Sequence, residues 1–442
     1  MSLAVGEVPS EAPLPSSVDV VIIGGGIIGA SAALYLAKRG VSVILCEKGY
    51  ISGEQSSRNW GWVRQAQRDP REIPLMIESM RLWDRMNEAV EGETGFRRAG
   101  IMFAASSDKE VAHNEAWLNQ ARPYQIDARM VSGAELDRVM PGGARRWKAA
   151  LYCASDGRAE PQRATIAIAS AARRSGAMVL TRCAVRGLEL SGGRVSAVIT
   201  ERGPVACATA VVAAGAWSRR FLKDLGLSLP QLKVRASVLR TSPVEGGPEP
   251  ALWSGEFAFR KRLDGGYNVA NGQASVVSIV PDSFRFFTSF LPALRSEFKS
   301  LRLRIDGRFT QEWSESRPVP FDQISPYEKT RVLDPEPDKA CPREAFHRLK
   351  KAFPAFASCR VVQEWAGLMD VTPDAIPVIS SVENIPGLII ATGFSGHGFG
   401  IGPGAGHLVA DLVAGTQPIV DPAEFRFSRF SDSARGRPIA RL

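Results

Sequence analysis

The sequence lacks long apolar runs. No segment reaches about 18 consecutive apolar residues, the length that a membrane-spanning helix needs. The first 17 residues hold Pro, Ser and Glu, and they lack the basic start and the continuous apolar stretch of a secretory signal. We therefore expect residues 1–14 to form a flexible tail. We also expect a cytoplasmic protein, with peripheral attachment to the inner face of the membrane as the alternative.

Cysteine is scarce, with six residues in a chain of 442 and no CxxC pair. This spacing argues against a zinc site and against a disulfide framework. Reduced, scattered cysteines agree with a cytoplasmic location. The sequence shows no P-loop, no Ser-His-Asp arrangement and no metal-binding signature, so no metal centre is expected.

Basic residues are in excess but are not concentrated. The chain has 55 Lys and Arg against 46 Asp and Glu, which gives a formal net charge of +9. Arginine doublets such as Arg173–Arg174 are scattered, which is typical of a solvated surface; a modest attraction for anionic substrates or membrane headgroups is the alternative. No nucleic-acid-binding motif is present, so no nucleic-acid partner is expected.

A complete dinucleotide-binding pattern lies near the N-terminus. The β-branched run Val18–Ile23 predicts a buried parallel strand, and the glycine-rich segment Gly24–Gly29 follows at once. Residues Ala30–Arg39 are predicted to form a helix, and Val41–Cys46 a second strand that ends at Glu47. A strand, a GxGxxG loop, a helix and a terminal acid in this order predict a βαβ unit that binds a dinucleotide.

Each part of this pattern has a physical reason. Gly24 makes the tight turn, Gly26 lets the backbone approach the pyrophosphate, and Gly29 lets the helix pack closely on the strand. The phosphates would lie at the helix N-terminus, where free N–H groups and the helix dipole favour negative charge. Glu47 would accept hydrogen bonds from the adenosine ribose.

Two later segments favour FAD over NAD. The apolar strand that starts at Thr209 continues into Ala214-Gly-Ala-Trp217, and a short helix is predicted from there to about Leu225. The strand Leu388–Thr392 leads into the glycine-rich loop Gly393–Gly402, followed by a helix predicted from about Pro403 to Ala414. A glycine-rich loop that opens a helix offers N–H groups and a positive dipole end to an anionic reduced flavin.

Taken together, these motifs resemble the D-amino-acid oxidase superfamily of FAD-dependent oxidoreductases, in the bacterial branch with glycine oxidase, sarcosine oxidase and D-amino-acid dehydrogenase. The resemblance also rests on Ser56–Asn59, Asp156–Pro161 and the segment from Trp365 to Pro377. It implies an α/β fold with a discontinuous Rossmann-like FAD-binding domain, over residues 15–95, 150–235 and 360–430. The substrate-binding domain would be α+β with a mainly antiparallel sheet, over residues 96–149 and 236–359.

The resemblance also implies which residues hold the flavin. They come from the first glycine loop, the following strand end, the loop after residue 50, the Ala-Gly-Ala-Trp segment and the C-terminal glycine loop. The expected FAD-binding residues are Gly24, Gly26, Ile28, Gly29, Glu47, Lys48, Ser56, Ser57, Arg58, Asn59, Trp60, Gly61, Val185, Ala214, Gly215, Trp217, Gly393, Gly396, His397, Gly398, Phe399 and Gly400.

The FAD is expected to be noncovalent. Some relatives attach the flavin through a histidine in the loop that corresponds to residues 50–67, and this chain has none there. A cysteinyl link through Cys341 or Cys359 is the alternative. Trp60 and Trp62, which flank Gly61, would either pack in the core or line the flavin and substrate cavity.

Three residues are candidates for chemistry. Arg64 lies where sarcosine-oxidase-like members place an arginine that grips the substrate carboxylate, and a surface arginine is the alternative. Met369-Asp370 replaces the Arg-Pro pair that amino-acid-specific members carry, so Asp370 would either face a substrate ammonium or act as a structural hydrogen-bond acceptor. His397 is expected to lie beside the flavin carbonyls, with proton handling as the alternative.

The resulting prediction is an FAD-dependent oxidoreductase that oxidises the C–N bond of a small-molecule amine or amino acid. Hydride transfer to flavin N5 would give an imine, which water hydrolyses. The alternative is a flavin-bearing subunit of a heteromeric amino-acid or opine-type dehydrogenase that passes electrons to a partner or a quinone. The aromatic segment Phe284–Leu291 would be the contact surface in that case, and packing within the substrate domain is its other interpretation.

Overall fold

A computed structural model describes residues 5–10, 13–144, 147–272, 275–297 and 301–431. Across these ranges the chain is a mixed α/β fold with two principal sheets. None of the helices in these ranges combines the length and the apolar character needed to cross a membrane. The cytoplasmic location stays a prediction.

The first sheet has parallel strands at its centre and an antiparallel strand at one edge. Its central strands are short and rich in β-branched residues, and they are buried except for Thr209 at the start of one of them, because other elements pack on both faces. In spatial order within the described chain, its strands are Val378–Ser381, Leu388–Thr392, Thr209–Val212, Val20–Ile23, Val43–Cys46 and Met178–Leu180. This arrangement is the predicted Rossmann-like core.

Two helices that begin at the glycine-rich loops pack against each other on this sheet. They are Ile27–Lys38 and Gly398–Ala414. A Cβ at Gly406 would overlap the side chain of Ser31 and the backbone of Ala32, so only glycine permits this separation.

The C-terminal helix starts five residues before Pro403, where the sequence placed its start. Pro403 lies in the second turn, and the interrupted hydrogen-bond ladder is completed from the neighbouring helix Ile73–Asp84. Ser79 Oγ and Trp83 Nε1 donate to the carbonyl of Gly400 at 2.8 and 2.7 Å, and Ser79 Oγ accepts from the N–H of Gly404 at 3.2 Å. Proline is usually found at the first position of a helix, which is why the sequence predicted a start at Pro403. Here hydrogen bonds from a neighbouring helix allow proline inside the helix.

The second sheet is mainly antiparallel, as predicted; two of its strand pairs, Ala251–Trp253 with Ile101–Ala105 and Ser275–Ser278 with Leu301–Arg304, are parallel. Its strands in spatial order within the described chain are Leu301–Arg304, Ser275–Ser278, Leu232–Thr241, Tyr267–Ala270, Ala258–Lys261, Ala251–Trp253, Ile101–Ala105, Ala149–Cys153 and Ala128–Val131, with Val361–Val371 also paired to Leu232–Thr241. Small sheets are formed by Val185–Ser191, Arg194–Thr200 and Gly203–Ala206, and by Trp62–Val63, Gly157–Arg158 and Arg97–Arg98.

The predicted domain boundaries differ from the sheet topology at two places. The strands Ala149–Cys153 and Val361–Val371 belong to the second sheet, whereas the boundaries at residues 150 and 360 assigned most of each to the FAD-binding domain. An apolar strand pattern reports burial but does not identify the strand that pairs with it, so this assignment needed the tertiary structure.

The predicted tail also differs in part. Among residues 5–10, Val8 is buried in the core beneath the first sheet, and Ser10 Oγ accepts a hydrogen bond from the N–H of Thr181 at 3.1 Å. Residues 1–4 and 11–12 of the predicted tail lie outside the described residues. One buried valine is enough to attach a segment that composition alone marks as loose.

The other α-helices connect and cover these sheets. They are Gln55–Arg58, Ile73–Asp84, Met86–Ala89, Asp108–Ala121, Gly133–Val139, Pro161–Arg174, Ser218–Asp224, Pro281–Arg285, Phe287–Glu297, Arg308–Glu315, Pro326–Lys329 and Ala340–Ala352.

Candidate active site

A cavity of about 940 Å³ runs from the first glycine loop to the second sheet. It opens at the carboxyl ends of the parallel strands, where ligands bind in open α/β sheets. This volume is at the upper end of the range for ligand pockets, which fits a site that holds a dinucleotide and leaves room for a small substrate.

The first glycine loop is shaped for phosphate. Gly24 has φ 114°, and a Cβ there would overlap the carbonyl of Ala213. Helix Ile27–Lys38 has no side-chain cap at Gly26 and no acidic residue in its first turn, so its N-terminus is open toward the cavity. Ser56 Oγ accepts from the N–H of Ile27 at 2.9 Å and brings the following loop onto this turn. Because Gly26 supplies no side-chain cap and Ser56 binds one N–H group, the remaining N–H groups of this N-terminus suit the pyrophosphate of FAD.

Glu47 lies at the end of the second strand, as predicted, and lines the cavity. Its Oε2 accepts from the N–H of Gly25 and its Oε1 from the N–H of Gly49, each at 2.7 Å. Burial raises the pKa of Glu47, and Lys48 and the two backbone N–H groups oppose that rise. Each carboxylate oxygen keeps a free lone pair, so a ribose hydroxyl can still be bound.

The middle of the cavity is formed by Lys48 and the Ala-Gly-Ala-Trp segment. Lys48 Nζ lies 2.7 Å from Glu54 Oε1 and 4.5 Å from the centroid of the Trp217 ring. Trp217 Nε1 donates to the same Glu54 oxygen at 3.1 Å. The two segments are thus fixed to each other beside the cavity.

Most of the residues that were expected to bind FAD line the cavity. These are Gly24, Gly26, Ile28, Glu47, Lys48, Ser56, Arg58, Asn59, Trp60, Val185, Ala214, Gly215, Trp217, Gly396, His397, Gly398, Phe399 and Gly400. Four others, Gly29, Ser57, Gly61 and Gly393, lie outside the lining. Gly29 and Gly61 permit close backbone approaches, Ser57 Oγ donates to the carbonyl of Glu54, and the N–H of Gly393 donates to Asp370.

Arg58 lines the cavity but is occupied by protein acceptors. It is buried, and it donates to the carbonyls of Gly53 and Ala366 at 3.3 and 3.0 Å and to Asp334 Oδ1 at 2.5 Å. Its guanidinium therefore connects the loop after the second strand to the second sheet.

Arg64 lines the cavity beside Phe103 of the second sheet. Its NH1 donates to the carbonyl of Ala66 at 2.5 Å, and its guanidinium lies 5.6 Å from the centroid of the Phe103 ring. Among the described residues no carboxylate lies within ion-pair distance of it. Burial, together with the nearby positive charge of Arg68, lowers the pKa of Arg64 to about 9. It is a cation at neutral pH with donor capacity left over.

The wall around Arg64 is aromatic. Trp60, Trp62, Phe103 and Trp253 line the cavity, and successive ring centroids lie 5.2, 6.0 and 6.2 Å apart. Both tryptophans of the loop therefore face the cavity as well as packing together, so the two interpretations left open by the sequence hold at once.

Asp156 fixes the backbone around Arg64, a function that the sequence did not reveal. It is fully buried, and its carboxylate accepts from the N–H groups of Gln65 and Ala66 at 2.7 and 3.2 Å. Burial raises the pKa of Asp156 to about 6, against these two hydrogen bonds. The available signal was its position in the motif Asp156–Pro161.

Asp370 is buried and lines the cavity, and one of its two carboxylate oxygens accepts three hydrogen bonds from the protein. Its Oδ2 accepts from the N–H of Gly393 at 2.7 Å, from Thr392 Oγ1 at 3.0 Å and from Gln231 Nε2 at 3.3 Å. Burial raises the pKa of Asp370, and the hydrogen bonds from Gly393 and Thr392 oppose that rise. This geometry favours the structural acceptor over the partner of a substrate ammonium.

His397 is the residue before helix Gly398–Ala414. It contacts Glu72 and Arg68, which were not among the residues predicted from the sequence. Its Nδ1 lies 3.3 Å from Glu72 Oε2, and Arg68 NH2 donates to its carbonyl at 3.0 Å. Arg68 and Glu72 are fully buried and 3.5 Å apart. They precede helix Ile73–Asp84 in a polar stretch that reads as surface, so no sequence signal separates them from exposed residues.

Comparison with known proteins identifies the family. A family model described as DAO, FAD dependent oxidoreductase, matches residues 19–412 of the 442. This chain belongs to the DAO family of FAD-dependent oxidoreductases. The DAO-family match confirms the predicted family, and with the two sheets it confirms the predicted fold class.

Individual relatives are similar to this DAO-family chain over nearly its whole length. The solved L-amino acid deaminase from Proteus myxofaciens, in complex with anthranilate, is 34% identical, with a TM-score of 0.93 over 98% of this chain and 97% of that one. Glycine oxidase of Pseudomonas aeruginosa is 26% identical over 92% of this chain and 97% of its own length. Mouse mitochondrial sarcosine dehydrogenase is 23% identical over 96% of this chain, which spans only 42% of that protein.

The residues of the cavity fit the cofactor of the DAO family. Glycines where a Cβ would collide, a helix N-terminus that begins at glycine beside the cavity and an acid at the end of the second strand are what an adenine dinucleotide needs. The second glycine loop opens helix Gly398–Ala414 without a side-chain cap and without acids in its first turn, which suits the electron-rich end of a flavin.

Proposed function

We propose that this chain oxidises the C–N bond of an amino acid, or of an N-substituted amino acid, whose carboxylate is held by Arg64. The observation that carries the proposal is the position of this half-buried guanidinium at the cavity, 5.6 Å from the centroid of the Phe103 ring and without a carboxylate within ion-pair distance among the described residues. A buried charge is costly unless it is paired, so a cation left unpaired in a cavity implies an anionic ligand. The planar fork of arginine matches a carboxylate in two hydrogen bonds.

The protein contributes binding and orientation. Asp156 holds the two backbone N–H groups that follow Arg64, and this fixes where the guanidinium can meet a carboxylate. The aromatic wall excludes water from the other side of the substrate. FAD, held at the glycine-rich loops, would supply the hydride acceptor for oxidation of the C–N bond, and water would hydrolyse the imine product.

Similarity to a solved structure supports a substrate that carries a carboxylate. The Proteus myxofaciens deaminase acts, by its name, on L-amino acids, and it was solved with anthranilate, which carries a carboxylate and an amine. A carboxylate beside an amine is the pattern that Arg64 and the cavity can accept.

We infer that Asp370 is structural and does not bind substrate. With three protein donors on one oxygen, it joins strand Val361–Val371 to the start of the C-terminal glycine loop. The substrate class therefore depends on Arg64, and the absence of the Arg-Pro pair at Met369-Asp370 does not by itself exclude amino acids.

The FAD is proposed to be noncovalent. Residues 50–67 contain no histidine. Cys341 and Cys359 are buried at and beyond the helix Ala340–Ala352, and neither is among the described residues that line the cavity.

Anaerobic bleaching of the flavin tests the substrate assignment. Amino acids are expected to bleach it, and the amines that lack the carboxylate are expected to do so far more weakly. Arg64→Leu should weaken binding of the acids by about 10–100-fold, the loss of a charge-assisted hydrogen bond, with Arg64→Lys in between. Arg81→Leu, an exposed arginine of helix Ile73–Asp84, serves as the matched control. An equal loss toward acids and toward their decarboxylated amines would contradict the proposal.

A second candidate function is that of a flavin subunit or dehydrogenase that delivers electrons at a surface. Phe284 and Phe287 are 68% and 52% exposed. Five more large apolar side chains of the same part of the chain are also exposed: Leu303, Ile305, Trp313, Phe321 and Ile324. Such a concentration is unusual on a protein surface without a partner.

The test is co-sedimentation with anionic phospholipid vesicles, together with substrate-dependent reduction of a quinone in them. Replacement of both Phe284 and Phe287 by Ser should abolish both effects while bleaching by substrate in solution persists. If the doubly substituted protein still sediments with vesicles and reduces the quinone as before, this surface is not the contact.

A further inference from the structure

A buried carboxylate lies against the imidazole of the C-terminal glycine loop. Glu72 precedes helix Ile73–Asp84 and is fully buried, and His397 precedes helix Gly398–Ala414 and lines the cavity. Glu72 Oε2 and His397 Nδ1 are 3.3 Å apart. The pair therefore connects a helix outside the glycine loops to a ring at the cavity.

The environment of this contact decides which ring nitrogen carries the proton. Nδ1 of His397 and both carboxylate oxygens of Glu72 are shielded from solvent, and none of the three atoms has a hydrogen bond of good geometry among the described residues, so they meet as an electrostatic contact at 3.3 Å. A deprotonated Nδ1 would place its lone pair against a carboxylate in a site that excludes water, which is repulsive. A proton on Nδ1 turns the same contact into an attraction. In a neutral imidazole, Nε2 then keeps the lone pair.

Burial and the two nearby arginines favour the neutral form of the ring. Burial lowers the pKa of His397; Glu72 opposes this, and Arg68 and Arg64 add to it. Burial alone would raise the pKa of Glu72, but the positive charge of Arg68 and the contact with His397 bring it below its ordinary value. At neutral pH the site therefore holds an ionised carboxylate and an uncharged imidazole.

We propose that Glu72 is a positioning residue that fixes His397 as the Nδ1–H tautomer and leaves Nε2 as a hydrogen-bond acceptor at the cavity. An acceptor cannot serve flavin carbonyls. It serves an N–H or O–H group of a bound molecule, such as the amine of a substrate. The choice of that molecule rests on the proposed function, whereas the tautomer does not.

Nuclear magnetic resonance of the holoprotein, with ¹⁵N-labelled histidine, tests the tautomer directly. The chain has only four histidines. The signals that disappear in His397→Asn are those of His397. We expect His397 at neutral pH to show a protonated Nδ1 and an unprotonated Nε2. A protonated Nε2 in the wild-type protein would overturn the proposal, and this measurement needs no variant at Glu72 that might fail to fold.

The role of Glu72 is tested by comparison of variants. Glu72→Gln offers an amide N–H₂ to Nδ1, so we expect loss of the Nδ1–H form and titration of His397 at lower pH. Glu72→Asp keeps the carboxylate and should retain the Nδ1–H form. Glu78→Gln, on the same helix and partly exposed, is the control and should leave the His397 signals unchanged. Identical His397 signals in Glu72→Gln and Glu78→Gln would reject the assignment.

These outcomes are separable from those of the proposed function. If His397 has the expected tautomer but no amino acid bleaches the flavin, the substrate proposal fails and the role of Glu72 stands. If amino acids bleach the flavin but the tautomer is Nε2–H, the role proposed for Glu72 fails and the substrate proposal stands.

Discussion

At the scale of single residues, burial and hydrogen bonding decide what each candidate can do. Arg64 and Arg58 both line the cavity, yet Arg58 has three protein acceptors, including Asp334, and Arg64 has one carbonyl. Asp370 and Asp156 are both buried carboxylates that accept backbone N–H groups. We therefore assign Arg64, which has unused donors, to ligand binding. We assign Asp370 and Asp156 to structural support.

Asp156 makes the protein respond to pH in a defined direction. Its pKa is raised to about 6 from an ordinary value of 3.8, so protonation favours the folded state. This contribution to stability is fully present below about pH 4 and is lost as the pH rises through 6. Between pH 7.5 and pH 4.5, the wild type should gain about 2 kcal/mol in free energy of unfolding relative to Asp156→Asn.

Denaturant unfolding at the two pH values measures this difference. Asp108→Asn, at an exposed position of helix Asp108–Ala121, provides the control and should show no such change relative to wild type. A wild-type advantage that grows with rising pH would have the opposite sign and would rule out a raised pKa at Asp156.

At the scale of elements, the close contact between helices Ile27–Lys38 and Gly398–Ala414 positions the cavity. Both helices begin at its edge, and Gly406 allows them to approach. The helix Ile73–Asp84 packs on helix Gly398–Ala414, donates to the carbonyl of Gly400 and accepts from the N–H of Gly404, the residue after Pro403. The N-termini that face the cofactor are therefore held by glycine packing and by hydrogen bonds between helices.

Gly406→Ala should destabilise the protein although alanine is the better helix former. The added Cβ overlaps Ser31 and the backbone of Ala32, and overpacking of this kind costs about 1–3 kcal/mol, against about 1 kcal/mol gained in helix propensity. We expect a lower Tm and weaker FAD binding, because the two N-termini are forced apart.

Thermal unfolding and titration of the apoprotein with FAD check this expectation. Gly307→Ala is the control, since a Cβ there meets nothing within 4 Å and its φ is negative. An unchanged Tm and an unchanged affinity for FAD in Gly406→Ala would show that the helices can separate without cost.

At the scale of the whole molecule, the cavity lies where the two sheets meet. The loop after the second strand contributes to both, since Arg58 bonds to the carbonyl of Ala366 in the second sheet while Ser56 caps the N–H of Ile27. A ligand that fills this cavity contacts both sheets. FAD should therefore raise the Tm of the protein as its concentration increases, as any ligand of the folded state does.

The noncovalent character of FAD binding is a prediction about the whole holoprotein. Acid precipitation should leave all of the flavin in the supernatant, because neither Cys341 nor Cys359 lies at the described cavity lining. Absorbance of the supernatant and the mass of the precipitated chain give the measurement. Flavin retained on the chain, and lost in Cys341→Ser or Cys359→Ser, would show the covalent alternative.

The sequence by itself determined the βαβ unit, the strands around Val20–Ile23 and Leu388–Thr392, the family and most of the cavity lining. These follow from local patterns, because glycines at fixed spacing and buried β-branched runs have few other interpretations. The start of helix Gly398–Ala414, the sheet that strand Val361–Val371 joins and the packing of Val8 were decided by tertiary contacts. So were the three hydrogen bonds on Oδ2 of Asp370, the support of Arg64 by Asp156 and the contact of Glu72 with His397. Hydrogen-bond partners more than 20 residues apart leave no periodic trace in the chain, and only the fold shows which polar groups are left free for a ligand.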